Sequence, residues 1–302
     1  MIFKSNRRLN IRGLMNNVKQ YYASSEKQTF YQKYWGGESI HVGIYLEEYI
    51  NEDTKHLAEY IREASHFKSD VMANLIKSYL MTDRQVFNGN GGMVQFSIAD
   101  WGAGYGGTAR TISNNWNGDI NCSISCYDLS DINCEYNAKI NLENQFSNIA
   151  IYNQSFLDIE RRWFDIIYSE DAFVHLDDKE LIFKRAYENL CVGGHLIFSD
   201  IILKNPDKCS KEDLEEICRR INVNTVGSKD LYIKSAQEAG LSLCNVVEYS
   251  DDIKKHYQYI KQFYLENEPA LTRDNSIVNG LDDWIKHAEC ENISMAIFIF
   301  RK

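Results

Sequence analysis

The chain has 302 residues, of which 44% are hydrophobic and 25% charged, and only two are proline. That balance excludes collagen-like, proline-rich and intrinsically disordered chains, and no apolar run reaches bilayer length. Lys plus Arg total 33 against 43 Asp plus Glu, a formal net charge of −10, which argues against a protein built to neutralise nucleic-acid phosphates.

The first 25 residues carry Lys4, Arg7, Arg8, Arg12 and Lys19 with no acidic residue. We read them as a solvated basic arm or helix; an organellar transit segment is the other reading, with the cytoplasm as default. Residues 21–80 follow helical periodicity. Leu57, Ile61 and Ala64 share a face that Val71, Leu75 and Ile76 continue, and a glycine-bearing loop at 34–45 interrupts the pattern. Asn88-Gly89-Asn90-Gly91-Gly92 then punctuates the chain.

Beyond it the rhythm becomes strand–turn–helix. Apolar segments at 94–99, 120–127, 149–152, 164–168 and 195–202 predict strands, and 108–116, 131–146 and 178–190 predict helices. In the final third, 211–221 and 230–239 read as amphipathic helices and 241–249 as a strand. A long helical stretch leads to Trp284, and the apolar segment 293–300 ends the chain as a strand. The alternation predicts an α/β fold: a doubly wound, mostly parallel, seven-stranded sheet with an antiparallel edge strand and helical cover. With no repeat and no linker, we expect a single domain. Residues 1–85 would form a helical lid, 86–205 a cofactor-binding core, and 206–302 cover helices and a terminal β-hairpin.

Eight cysteines are present, none in a C-x-x-C pair. Their spacing predicts reduced thiols and no metal site. His56, His66, His195, His256 and His287 show no partner spacing.

The sharpest chemical signal is Asp100-Trp101-Gly102-Ala103-Gly104-Tyr105-Gly106-Gly107, directly after a predicted strand and opening a helix. Gly102, Gly104 and Gly107 satisfy G-x-G-x-x-G, which gives a tight turn and close backbone approach to a nucleotide-bearing ligand. Asp128 ends the next strand, where a carboxylate accepts ribose hydroxyls. Trp101 and Tyr105 flank the glycines, divided between packing and cofactor contact. A nicotinamide dinucleotide and S-adenosylmethionine compete for such a turn. Asp100, two places before the first glycine, is awkward beside a pyrophosphate and suits a ligand with an ammonium group, so we favour S-adenosylmethionine.

Residues 100–107 resemble the first motif of Rossmann-like methyltransferases, and Asp128 falls at their ribose-binding acid. Gln154-Ser155-Phe156 is similar to the loop that borders the adenine. Residues 164–175 resemble the fourth-strand motif, and Leu190-Cys191-Val192-Gly193-Gly194 the one before the fifth strand. Residues 34–45, Y-W-G-G-E-S-I-H-V-G-I-Y, with 220–228 and 280–284, resemble the sarcosine/dimethylglycine N-methyltransferase group. One departure is Glu170, where that group leads us to expect Gln. The stretch 169–175 is also similar to phosphoethanolamine methyltransferases.

The resemblance implies S-adenosylmethionine as cofactor, held by Tyr34, Asp100, Gly102, Gly104, Asp128, Leu129, Ser155, Phe156 and Ser169. His175 is the candidate base or substrate orienter, with Asp171 one helical turn earlier as its catalytic companion. Trp35, His41, Glu170 and Arg220 are candidates for substrate binding, with Arg220 for a carboxylate and Arg219 read as a solvated charge. Tyr22, Tyr34, Trp35 and His41 would form a lid. The expected partner is a small amine such as sarcosine or dimethylglycine, with no nucleic acid, membrane or metal; nothing in the sequence specifies an oligomeric state. The alternatives are a methyltransferase of phosphoethanolamine or of a specialised metabolite, and a non-catalytic cofactor-binding scaffold.

Overall fold

The computed structural model describes residues 30–46, 54–83, 94–116, 120–268 and 276–302. The basic arm, Tyr22 and the 88–92 loop lie outside the described residues. Seven strands form one sheet: β1 (Gln95–Trp101), β2 (Asn121–Asp128), β3 (Ile149–Asn153), β4 (Phe164–Glu170), β5 (Leu190–Leu203), β6 (Ser242–Glu248) and β7 (Ile293–Arg301). Their spatial order is β3-β2-β1-β4-β5-β7-β6. β1 to β5 pair in parallel. β7 runs antiparallel to both neighbours, so the chain's last strand enters between β5 and β6 and makes the expected reversed hairpin at that edge.

β4 is buried along Phe164–Ser169, as a strand covered on both faces must be, and its sequence is correspondingly near-continuously apolar. Among the described residues, eight α-helices pack around the sheet: α1 (Thr54–Asp83), α2 (Gly107–Asn115), α3 (Asp131–Glu143), α4 (Lys179–Asn189), α5 (Lys211–Ile221), α6 (Lys229–Glu238), α7 (Ser250–Asn267) and α8 (Ser276–Glu289). Ser130, Asp178 and Ser228 each cap a helix by accepting a backbone N–H of its first turn, and Ser210 with Asp213 forms a reciprocal capping box.

Three boundaries differ from expectation. α3 stops at Glu143, because Gln145 adopts left-handed backbone (φ 61°) and Phe146 N–H turns back to Asn141 O. β5 begins at Leu190, opposite Phe164, and Gly193 N–H donates to Lys302 O, which draws the 190–194 segment into the sheet. The long helical stretch before Trp284 is two helices, α7 and α8.

α1 sets the geometry above the sheet. Its buried positions run Leu57, Ile61, Ala64, Ser65, Lys68, Ser69, Met72, Ala73, Ile76 and Leu80, the i, i+3, i+4, i+7 spacing of one helix face. The stripe passes through Lys68 and Met72; Val71 and Leu75 are only partly buried at its margin. Lys68 is fully buried, and its Nζ donates to both oxygens of Asp171, at 2.9 and 3.0 Å, just past the end of β4. Asp171 also accepts from Val42 N–H (2.8 Å) and Ser199 Oγ (2.8 Å). Burial pushes its carboxyl up, and Lys68, His41 and the Val42 amide outweigh that, holding it below the usual carboxylate range.

The 36–45 loop is pinned over the same edge of the sheet. Arg110 donates from Nε and Nη2 to Glu38 Oε2 (2.9 and 2.6 Å), Val42 N–H reaches Asp171, Gly43 N–H reaches His256 Nδ1 (3.2 Å), and Tyr45 N–H reaches Asp252 (2.7 Å). Removing one partner of a buried ion pair leaves the other charge uncompensated, so Lys68→Met is expected to lower unfolding stability by about 3–5 kcal/mol in chemical denaturation near neutral pH. The loss should shrink in acid, because a lowered folded-state pKa stabilises only above the unfolded value of about 4 and that contribution fades as Asp171 is protonated.

Candidate active site

Strand order reverses between β1 and β4, and in an open α/β sheet the crevice beyond the carboxyl ends at that point is where ligands bind. A cleft sits there, lined by Gly102, Gly104, Asp128, Phe156, Glu170 and His175 among others. Gly102 and Gly104 hold left-handed backbone (φ 83° and 53°), and a Cβ on Gly102 would overlap Ala172. The turn therefore brings bare backbone to the cleft. Gly102 and Ala103 N–H both donate to Tyr127 O (2.9 and 3.0 Å), tying the turn to β2.

Asp128 lies at the cleft wall with Leu129. Its Oδ2 accepts from Gly104 N–H (2.8 Å) and its Oδ1 from Ser130 N–H (2.8 Å) and Asn133 Nδ2 (3.3 Å). Burial pushes this carboxyl up to about 6 against those donors. Ser155 and Phe156 line the opposite side; Ser155 Oγ accepts from Leu157 N–H (3.1 Å), and the Phe156 ring stacks on Trp101 at 4.8 Å and 8°. Trp101 is thus a packing residue under a cleft-wall aromatic, and Tyr105 packs against Tyr136.

Other expected cofactor residues sit behind the wall. Asp100 is buried and accepts from Tyr168 Oη (2.7 Å); burial raises its carboxyl well above the usual range against that bond. Ser169 Oγ donates to Trp101 O (2.6 Å), bracing the glycine turn from β4. Tyr34 is buried with Phe30, Phe263 and Tyr264, and its hydroxyl donates to Glu268 (2.7 Å). None of these three lines the cleft.

The loop side is polar. Glu170 Oε2 accepts a hydrogen bond from Thr108, whose Oγ1 is 2.8 Å from Ser69 Oγ. Glu170 Oε1 is buried with no hydrogen-bond partner among the described residues and lies 3.4 Å from His41 Nε2. His41 Nε2 is also 3.1 Å from Ser69 Oγ; burial lowers its pKa, with Glu170 pulling the other way. His175 and Asp171 both line the cleft. The Asp171 carboxylate, expected beside His175, is engaged by Lys68, Val42 and Ser199.

Trp35 is buried and packs edge-on to His256 (4.9 Å between ring centres), and Arg220 lies outside the cleft, its guanidinium 6.0 Å from the Trp35 ring centre. Arg220 and Arg219 line a second cavity beside Gly280, where Arg219 donates to Asp283 (2.9 Å). Lys68, Thr108 and His256, which bond to Asp171, Glu170 and the Gly43 amide behind the cleft wall, are residues that the sequence reading did not single out. A lysine on the apolar stripe of α1 is a legible signal for the first. His256 carries none, since its partner amide is 213 positions away.

Asp213, Glu216 and His287 gather between α5 and α8. There the Lys286 ammonium donates to Glu216 (2.7 Å), and Asn292 Nδ2 lies 3.1 Å from the buried His287 Nδ1; none of the three lines the cleft.

The cleft chemistry fits a phosphate-free nucleoside. Bare glycine backbone faces the Asp128 carboxylate, and none of the described lining residues is Lys or Arg to balance a pyrophosphate. Comparison with known proteins agrees. Residues 99–198 match a family described as a methyltransferase domain. The chain is 27% identical to a sarcosine/dimethylglycine N-methyltransferase of Halorhodospira halochloris, over 95% of this chain and 96% of that protein. It is 26% identical to the enzyme of the same description from Aphanothece halophytica, over 94% and 96%. A solved Galdieria sulphuraria structure, described as a sarcosine dimethylglycine methyltransferase, superposes with a TM-score of 0.75 at 27% identity, covering 92% of this chain and 98% of that one. No described helix is long and apolar enough to cross a membrane. The fold, the glycine turn with Asp128, and these likenesses together make the chain an S-adenosylmethionine-dependent methyltransferase with a Rossmann-like fold, related to the sarcosine/dimethylglycine N-methyltransferases.

Proposed function

We propose that the protein methylates a small amine such as sarcosine or dimethylglycine. The observation that carries this reading is Glu170, a carboxylate at the cleft wall whose Oε1 makes no hydrogen bond among the described residues and faces His41 Nε2 at 3.4 Å. Such an oxygen is an acceptor for the N–H of an amine or ammonium. The names of the relatives point the same way. A phospho-base would call for cationic side chains, and none of the described cleft-lining residues supplies one.

S-adenosylmethionine supplies a sulfonium methyl that needs no further activation. The chain's work is to align the acceptor, exclude water and take a proton from the amine. We assign Gly102, Gly104, Asp128, Leu129, Ser155 and Phe156 to the cofactor, with Asp100 and Ser169 bracing that wall. Glu170 and His41 hold the amine, and His175 accepts or orients its proton. Asp171 is a positioning residue, because Lys68, Val42 and Ser199 already engage its carboxylate.

His175 sits on the Phe173–His175 turn, which a buried pair holds in place. Lys179 Nζ donates to the carbonyls of Phe173 (2.7 Å) and Val174 (3.3 Å), and Asp200 Oδ1 accepts from Val174 N–H (3.2 Å). Burial lowers Lys179 to about 8, with Asp200 opposing, and raises Asp200 to about 7, with Lys179 opposing.

The direct test incubates purified protein with S-adenosylmethionine and a panel of amines, phospho-bases and oxygen and carbon acceptors, reading product mass. Sarcosine or dimethylglycine should gain 14 Da per methyl, about the mass of one CH₂. Turnover confined to a phospho-base or a non-nitrogen acceptor refutes the proposal. A second expectation concerns pH. Asp128 titrates near 6 in the free protein and serves the ribose as a carboxylate. S-adenosylhomocysteine affinity should therefore fall as pH drops below about 6, by up to tenfold per unit. Calorimetry on Asp128→Asn should give weaker and nearly pH-independent binding. Third, Lys179→Met should lower kcat by about tenfold or more through misplacement of the His175 turn, while S-adenosylhomocysteine binds within about threefold of wild type.

A further inference from the structure

The 36–45 loop sends one described residue into the lining of the cleft, Ile40. The residues on either side of it are engaged in holding the loop down. Glu38 accepts from Arg110 (2.9 and 2.6 Å), and Ser39 Oγ lies 3.2 Å from Ser69 Oγ. His41 Nε2 lies 3.1 Å from the same Ser69 hydroxyl, and Val42 N–H donates to Asp171 (2.8 Å). The Ile40 side chain has no polar atom to place, and its partly buried surface packs against the core that includes Trp35, Val42 and Tyr257. A β-branched side chain has few χ1 rotamers, so a backbone pinned on both sides fixes where it points.

Its place along the cleft follows from its own contact and those of its neighbours. On the nucleoside side, Ile40 Cγ1 and Cδ1 lie 3.1 Å from where a Cβ on Gly104 would stand, and Gly104 N–H donates to Asp128 (2.8 Å). On the acceptor side, the next residue, His41, faces Glu170 Oε1 at 3.4 Å, and Val42 reaches Asp171. Gly104, Asp128, Glu170 and Asp171 line the same cleft as Ile40. Ile40 thus stands between the carboxylate assigned to the ribose and the carboxylates at the amine end. The transferred carbon has to occupy that interval, because it starts on a sulfur joined to the ribose and ends on the acceptor nitrogen. An apolar, branched side chain there keeps water from the reacting pair and bounds the space around the nitrogen.

We propose that Ile40 is a specificity-determining residue at the point of transfer: its side chain packs against the methyl-bearing sulfonium and limits the bulk of the groups on the acceptor nitrogen. The assignment rests on the amine reading above and adds the size class of the acceptor, amines whose alkyl groups are methyl rather than ethyl.

Two measurements test it. In protein carrying 13C only at isoleucine δ1 methyls, the signal that Ile40→Leu removes should show a nuclear Overhauser contact to the cofactor methyl when S-adenosylmethionine is bound without an acceptor. The second compares dimethylglycine with N,N-diethylglycine. Ile40→Ala should raise the kcat/KM ratio of the larger acceptor over the smaller by about tenfold or more, the discrimination that a methylene meets at a close-fitting apolar wall. Ile40→Val should raise it less, and the volume-conserving Ile40→Leu should leave it within about threefold of wild type.

A loop that only loosened would depress both acceptors in parallel, so an unmoved ratio in Ile40→Ala overturns the size limit. Absence of the Overhauser contact overturns the placement beside the methyl. If no amine is methylated, the amine reading fails on its own. The Overhauser contact then still decides where Ile40 lies, and homologues of the acceptor that is turned over, differing by one methylene at the accepting atom, replace the pair.

Discussion

Asp171 is where three separate parts of the chain are tied to the end of the sheet. Lys68 comes from the long helix α1, Val42 from the loop over the cleft, and Ser199 from β5, and all three donate to one carboxylate. The aspartate itself sits in left-handed backbone (φ 52°), which Asp tolerates better than branched residues do. Its N–H is fixed by Ser199 O (2.9 Å). A fully buried ammonium is stable only when paired, so the pair dictates that α1 cross the sheet at this point. The loop follows, because Val42 must reach the same oxygen.

The consequence for chemistry is a cleft with two kinds of wall. On the β1–β2–β3 side, glycine backbone, one carboxylate and a stacked aromatic pair make a rigid cofactor seat that changes little in character from end to end. On the loop side the lining is polar, with Glu170, Asp171 and His175, and Glu170 Oε1 makes no hydrogen bond among the described residues. Unsatisfied buried groups are costly to folding and concentrate where a ligand completes them. The division matches a protein that binds one invariant nucleoside and selects a small polar acceptor.

The Phe173–His175 turn is also held by a buried pair, Lys179, which donates to its carbonyls, and Asp200, which accepts from Val174 N–H. Tyr232, whose hydroxyl bonds to Asp200, anchors that pair to α6. The cover helices therefore support the cleft from below, through Asp200, as well as from above through His256 on α7.

The periodicities of the sequence determined the α/β class, the seven strands, and the glycine turn with Asp128, because each depends on neighbours a few residues apart: alternation, helix spacing, and glycines where a side chain would block the turn. Ser155, Phe156, Glu170 and His175 were reached only through resemblance to methyltransferase motifs, and all four line the cleft. Tertiary structure alone decided that Tyr34 and Arg220 lie away from the cofactor cleft, that Asp171 answers Lys68, and that His256 meets Gly43. Those contacts join residues more than a hundred positions apart, and which of several polar groups becomes desolvated beside which is fixed only when helices and sheet pack. Burial turns a lysine into the anchor of a loop and a histidine into the acceptor of the Gly43 amide, and burial is a property of the packed chain.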